Sequence, residues 1–306
     1  MDATNIKQPT LTVFTPTYNR AYILPRCYES LLGQTCKDFK WLVVDDGSTD
    51  NTKELVQSWI DERKIPITYY YQENQGMHGA HNAAYRLIDT ELNTCIDSDD
   101  YMPDDAVEKI VGFWQAKGNE KYAGIVGLDM INSGKIIGTA FPERLRETTL
   151  SGFYAQGGKG DKKLVYRTDV INMYPEYPIF EGEKYVSLAY KYLLIDQDYK
   201  LLVLNEPLVI VEYMPDGSST NMFKQYVRNP KGFAFVRKAG MKYAYSYKRR
   251  FEECIHYVSS SIMIKNKKFL QESPCKITTF FAIPLGIALY FYIQNKVKKE
   301  TQMKIL

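Results

Sequence analysis

Short apolar runs alternate with helix-patterned stretches through the first hundred residues. Leu11–Thr15, Trp41–Val44, Ile67–Tyr71 and Asn93–Ile96 are apolar, β-branched or aromatic, and turn residues close each run. Such runs are expected of strands buried in a parallel sheet. Between them, Ile23 to Leu32 carries Ile23, Leu24, Cys27 and Leu31 at helical spacing. Asp50 or Asn51 is the expected N-cap of a helix through Trp59, with Leu55, Val56 and Trp59 on its apolar face. His78–Ile88 forms a further helix. Strands and helices alternating in this order predict an α/β fold built on a doubly wound parallel sheet.

Past Pro103 the alternation loosens. A helix over Asp104–Trp114 precedes a strand at Ile125–Met130 and a loop-rich stretch with Gly152, Gly157, Gly158 and Gly160. Lys163–Arg167 reads as a strand and Lys184–Leu194 as a helix. Leu201–Leu204 and Leu208–Val211 read as two strands separated by Asn205-Glu206-Pro207. From Phe223 onward the pattern is helical, basic and rich in Tyr.

Charge sharpens that last boundary. The formal net charge is only +3, yet residues 221–306 hold 17 Lys and Arg against 4 Asp and Glu, a net of +13. Residues 1–220 carry a net of −10. The expected organisation is therefore a domain over 1–220 and a basic helical extension over 221–306, the latter facing an anionic partner. Ile277–Ile293 contains no charge and is bounded by Lys276 and by Lys296, Lys298 and Lys299. A helix of that length covers about 25 Å, short of the roughly 30 Å hydrocarbon core, and Pro284 and Gly286 interrupt it. A buried helix pair, an in-plane element and a span compete; the basic neighbours favour attachment to an anionic membrane surface. The five cysteines form no CxxC pair and are odd in number, as in a reducing compartment. The N-terminal residues lack a signal-peptide apolar run. Together these place the protein in the cytoplasm, peripheral to the inner membrane.

The candidate chemistry lies in the turns after the strands. Leu92–Asp100 ends a strand by presenting Asp97, Asp99 and Asp100 within four positions. Carboxylates this close repel, and a fold keeps them together mainly where a cation neutralises them. Hard divalent ions such as Mg²⁺ or Mn²⁺ prefer such oxygen ligands and leave positions open for phosphate. The competing reading is an Asp-rich turn capping the helix near Pro103. In doubly wound sheets ligands bind beyond the carboxyl ends of the strands. Four turns meet that edge: Thr15–Arg20, Asp45–Asp50, Glu73–His78 and Asp97–Asp99. A carboxylate after the second strand suits a ribose hydroxyl or a base N–H, and Gly76 permits close backbone approach. A Walker loop and a GxGxxG fingerprint are both absent from the sequence.

Three of these segments, Thr12–Arg20, Val43–Asp50 and Ile96–Asp100, resemble the ordered signature of family 2 glycosyltransferases. The resemblance covers about residues 10–215. It implies the GT-A fold, a mostly parallel Rossmann-like sheet flanked by helices, here followed by the basic helical extension. It implies inverting sugar transfer from a nucleotide-diphosphate donor, usually UDP-linked, with Mn²⁺ or Mg²⁺. By position, Thr15, Pro16 and Tyr18 would line the nucleotide pocket, Asp46 would contact the base, and Asp45 would support that turn or the ribose. Asp97, Ser98 and Asp99 occupy the family's DxD motif. Asp99 would contact the metal directly, and Asp97 would bind the ribose or the metal through water. The family's Ala-Arg-Asn triplet is Ala80-His81-Asn82 here, which gives His81 a donor role toward base or phosphate.

An inverting enzyme needs a carboxylate to deprotonate the acceptor hydroxyl. Relatives carry Glu-Asp at a helix start some way past the DxD motif. This chain has Phe180-Glu181-Gly182-Glu183-Lys184, with Lys in place of Asp. Glu183 is the expected base and Glu181 the second candidate; the bland alternative is a helix-dipole partner. The expected acceptor is a glycan or polyprenyl-phosphate-linked oligosaccharide of cell-surface polysaccharide synthesis, selected by loops between Gly134 and Gly160. A sugar nucleotidyltransferase is the alternative enzyme class, but the Gly-rich triphosphate loop it needs is replaced by Thr15–Asn19. A nucleic-acid-binding module with a structural Asp cluster is the non-enzymatic alternative; no nucleic acid is expected, because packing explains the Tyr residues of the segment 241–250 equally well.

Overall fold

A computed structural model describes residues 8–214 and 222–303 of the chain. The expected boundary at 220/221 lies outside the described residues. The chain divides into two compact units. The first comprises Met1–Gln75, Gly79–Pro175 and Asp198–Tyr213; the second comprises Gly76–His78, Glu176–Gln197 and Met214–Leu306.

The first unit opens with β1 (Leu11–Thr17), α1 (Leu24–Leu32), β2 (Phe39–Asp45), α2 (Thr52–Glu62), β3 (Ile67–Tyr71), α3 (Met77–Leu87), β4 (Leu92–Cys95) and α4 (Ala106–Lys117). It continues through β5 (Tyr122–Ile131), β6 (Glu147–Thr148), α5 (Leu150–Ala155), β7 (Lys162–Arg167) and α6 (Thr168–Met173). α7 (Ala189–Asp198) follows in the second unit, and β8 (Lys200–Val211) returns to the first. The eight strands form one sheet in the order β3-β2-β1-β4-β7-β5-β8-β6. β3, β2, β1 and β4 are parallel, so their carboxyl ends share one edge. β7 enters antiparallel between β4 and β5, while β5 and β8 pair in parallel. β1 and β2 are buried along most of their length, which explains their lack of polar alternation. On one face Tyr28, Trp41 and Trp59 stack, with Tyr28 and Trp59 centroids 4.3 Å apart, fastening α1 and α2 to the sheet.

Two expected elements differ. Residues 184–188 are irregular and the helix begins at Ala189, because the Lys184 N–H donates to Asn229 Oδ1 (2.7 Å) and the Val186 N–H to His78 Nδ1 (3.2 Å). The two expected strands around Asn205-Glu206-Pro207 are one strand, β8, with register shifts where it passes Val126 and Leu128. Asn205 uses its amide to pair with the backbone N–H and C=O of Phe141, both at 3.0 Å, so the irregular stretch keeps its polar groups satisfied.

The second unit adds α8 (Met222–Arg228), α9 (Pro230–Tyr243), α10 (Tyr247–Met263), α11 (Phe269–Glu272) and α12 (Lys276–Met303). Its small core gathers Ala234 and Met241 of α9, Cys254 and Tyr257 of α10, and Ala282 of α12.

Candidate functional site

The first unit builds its polar edge from the ends of β1, β2 and β4. Asp45 is buried, with Oδ1 accepting from the Ser48 N–H (2.7 Å) and Oδ2 from the Tyr69 hydroxyl (2.6 Å). Asp46 is buried as well, and its Oδ1 accepts from Gln72 Nε2 (2.7 Å) and the Gln75 N–H (2.8 Å). The two carboxylates thus tie the β2 turn to β3 and to the segment after it. Asn19, held at φ +52°, accepts from the Thr49 N–H (2.7 Å) and stitches the β1 turn to the β2 turn. Asn is one of the few residues that tolerates this backbone.

Thr15 is placed differently from the expectation of a pocket-lining side chain. It is fully buried, and its hydroxyl accepts from Trp41 Nε1 (2.9 Å), so the side chain belongs to the core. Pro16 lies half-buried opposite Val44, and Tyr18 stands 49% exposed beyond the strand. Thr17 is a residue that sequence reasoning missed: it is buried at the end of β1, and its Oγ1 has no hydrogen-bond partner.

After β4 the chain turns back, with the Asp100 N–H donating to the Asp97 carbonyl (3.0 Å). Asp97 and Asp99 are half-buried while Ser98 and Asp100 are buried. Asp100 accepts the Glu212 N–H (3.1 Å), which ties the turn to the chain beyond β8. Burial, then the charge of Asp97, pushes the Asp100 carboxyl up to about 8; Lys163 of β7 opposes this and Asp99 adds to it. Asp129 near the end of β5 is an acid that the sequence reading also missed. Its Oδ1 is buried without a hydrogen-bond partner, and burial lifts its carboxyl to about 6 against the pull of Lys163. The available signal was an Asp interrupting an apolar strand. Among the described residues, no group of three or more His, Cys, Asp or Glu converges as a metal site. Asp97 and Asp99 stand two positions apart on this half-buried turn. Hard oxygen donors, crowded like charges and a half-exposed turn suit Mg²⁺ or Mn²⁺.

The profile of "Glycosyl transferase family 2" matches residues 12–156, which contain all three turns. Residues 12–156 belong to glycosyltransferase family 2. Chondroitin synthase of Escherichia coli is 36% identical over 106 residues, 35% of this chain and 15% of that protein. A GalNAc(5)-diNAcBac-PP-undecaprenol β-1,3-glucosyltransferase of Campylobacter jejuni is 33% identical over 121 residues, 39% of this chain and 38% of that one. The chain therefore spans well under half the length of either curated relative. The structure of Staphylococcus aureus TarS 1–349 in complex with UDP-GlcNAc superposes with a TM-score of 0.59 at 17% identity, covering 95% of this chain and 92% of that one. At that identity the likeness establishes the fold, the GT-A fold.

Within this family 2 domain, His81 is 1% exposed and packs edge-on against Phe14 and Tyr85 at 5.1 and 5.8 Å, in the interior of the sheet's helical layer. The loops between Gly134 and Gly160 converge on one buried cation. Lys162 Nζ donates to the carbonyls of Ile137, Lys159, Gly160 and Asp161 at 3.0 to 3.3 Å, beside the rings of Phe141 and Phe153.

In the second unit, Glu183 caps a helix start. It is 7% exposed, and its two carboxylate oxygens accept from the Lys231 and Gly232 N–H groups in the first turn of α9. The carboxylate satisfies two orphan donors and meets the positive end of the helix dipole. Glu181, two residues earlier, is exposed. Gly76 (φ +81°) lies against Lys184, whose carbonyl oxygen would be 2.1 Å from a Cβ. The close approach it permits is therefore to the chain itself.

Proposed function

We propose that this protein is a glycosyltransferase that moves a sugar from a nucleoside diphosphate donor, UDP-linked, to a glycan or polyprenyl-phosphate-linked acceptor with inversion. The observation that carries the reading is the shared edge of β2, β1 and β4, where the Asp45–Asp46 turn and the Asp97–Ser98–Asp99 turn follow adjacent parallel strands. Asp46, Pro16 and Tyr18 hold the nucleoside, and Asp45 braces their turn through Ser48 and Tyr69. Thr17 Oγ1, buried and unpartnered, is a hydrogen-bonding group that a bound nucleotide would satisfy. His81 supports the pocket wall through Phe14 and Tyr85.

Asp99 would hold a divalent ion directly, with Asp97 as its partner. When bound, Mn²⁺ or Mg²⁺ supplies Lewis-acid stabilisation to the departing diphosphate. The acceptor hydroxyl yields its proton to a carboxylate base while its oxygen attacks the anomeric carbon, and Glu183 and Glu181 are the chain's two candidates for that base. The glycosidic C–O bond forms as the bond to the β-phosphate oxygen breaks, and the nucleoside diphosphate keeps that electron pair. The similarity to an undecaprenol-linked glucosyltransferase and a chondroitin synthase supports a glycan or polyprenol-linked acceptor, and the reading places the reaction at a membrane face in cell-surface polysaccharide synthesis. A thermal-shift screen of nucleotide-sugars with and without Mn²⁺ tests the reading. Metal-dependent stabilisation by a UDP-sugar, followed by transfer of its labelled sugar, is the expected result. Stabilisation by nucleoside triphosphates with pyrophosphate release would replace it with a nucleotidyltransferase.

A further inference from the structure

The long helix α12 has two unlike faces. Inward, Thr279 and Ala282 are fully buried and Ile293 is 2% exposed. Gly286 lies so close to α10 that a Cβ there would meet Val258 at 2.5 Å. This seam of small residues fixes α12 along α10. Outward, Ile277, Phe280, Phe281, Leu285, Phe291 and Tyr292 are all exposed, between 50% and 76%. Their spacing of three, one, four, six and one keeps them on one stripe, about 22 Å long at about 1.5 Å per residue. A contiguous apolar strip of that size marks a contact surface.

The charges around the stripe identify what it contacts. Lys276 precedes it, Lys296, Lys298 and Lys299 follow it, and Lys265, Lys267 and Lys268 lie on the turn before α11; all seven are exposed. No Asp or Glu occurs between Glu272 and Glu300. An apolar strip bracketed by cations complements the acyl layer and anionic headgroups of a bilayer surface. By length and hydropathy the helix could also cross a bilayer. Its packing argues otherwise. A spanning α12 would draw α10 inward with it, and α10 carries Lys248, Arg249, Arg250, Glu252 and Glu253. Charges at the bilayer centre are costly.

We propose that α12 lies flat in the interface of an anionic bilayer, its aromatic stripe among the acyl chains and its flanking lysines on the phosphates. The inference rests on the proposed action at a membrane face and specifies the element that holds the protein there. The test is flotation of the full-length protein with vesicles of phosphatidylcholine alone or with phosphatidylglycerol. Wild-type protein floats with the anionic vesicles, and Phe280→Glu/Phe281→Glu partitions about a hundredfold less. Both side chains are exposed, so the melting temperature stays unchanged. Brominated lipids then report depth through Ile277→Trp, Leu285→Trp and Tyr292→Trp, the native Trp41, Trp59 and Trp114 being buried. Equal shallow quenching at all three supports the in-plane helix.

Quenching deepest at Leu285→Trp and shallow at the ends means a span and overturns it. So does unaltered flotation of the double variant, or a wild-type dimer without vesicle binding that the double variant breaks. Nucleotide-sugar binding is measured on the same variants. Its persistence without flotation sinks the membrane inference alone; its absence with intact flotation sinks the proposed activity alone.

Discussion

Glu183 accepts the Gly232 N–H at 2.8 Å, and through its other oxygen the Lys231 N–H at 2.9 Å. A carboxylate engaged on both oxygens by a helix start stabilises that helix. Glu183→Ala should therefore cost about 2 kcal/mol in urea unfolding while leaving kcat little changed. Glu181→Gln should do the reverse, lowering kcat by about a hundredfold or more at constant stability. A loss of kcat confined to Glu183 variants would return the base to that residue.

Asp99→Asn removes one charge from a turn already crowded with acids. The isolated protein should be no less stable, since repulsion with Asp97 and Asp100 is relieved. The melting-temperature gain from Mn²⁺ plus UDP-sugar should vanish, and kcat/KM should fall by about a thousandfold. Differential scanning fluorimetry and initial rates separate the two effects.

Gly76 and Gly182 have similar backbones, at φ +81° and +78°, in unlike surroundings. At Gly76 a Cβ meets the Lys184 carbonyl, whereas at Gly182 it meets nothing within 4 Å. Gly182→Ala should cost about 1 kcal/mol, the left-handed penalty alone. Gly76→Ala should cost about 2–4 kcal/mol, since backbone must also move. Chemical denaturation of the pair measures the difference.

His256 of α10 is held neutral. Burial, then the charge of Arg237, lowers it to about 4, although Glu253 pulls the other way. Its unfolded value is near 6.5. Between those values the unfolded chain binds a proton that the folded helices refuse, so stability is full above about pH 6.5 and falls as the pH drops toward 4. The loss amounts to about 3 kcal/mol, and His256→Gln should flatten this part of the stability profile.

The four parallel strands and their turns were legible in the sequence because each is a local signal: an apolar run followed by Asp, Gly, Asn or Ser. The parts that were not legible depend on distant partners. Lys184–Tyr185 continue a helical pattern, yet Asn229 and His78 take the N–H groups of this segment. Glu183 stands where a base is expected, and only the position of α9 reveals that it is a cap. Thr15 lies in the signature motif, but strand alternation turns it toward Trp41. Asp129 and Lys163 flank the acidic turn from β5 and β7, whose order in the sheet is not their order in the chain.

β7 also bears on how the domain is made. Leu92, Asn93 and Thr94 find their second partners in Arg167, Tyr166 and Val165, more than seventy residues later. The stretch that carries the family signature stops at residue 156, before β7 and β8 are reached. Cut there, β4 and β5 would each present a bare row of peptide groups, and β5 would have no neighbour on either side. The segment by which the chain is recognised is thus not a complete sheet. On the ribosome the strand bearing the acidic turn must wait, edge open, for the chain that closes it.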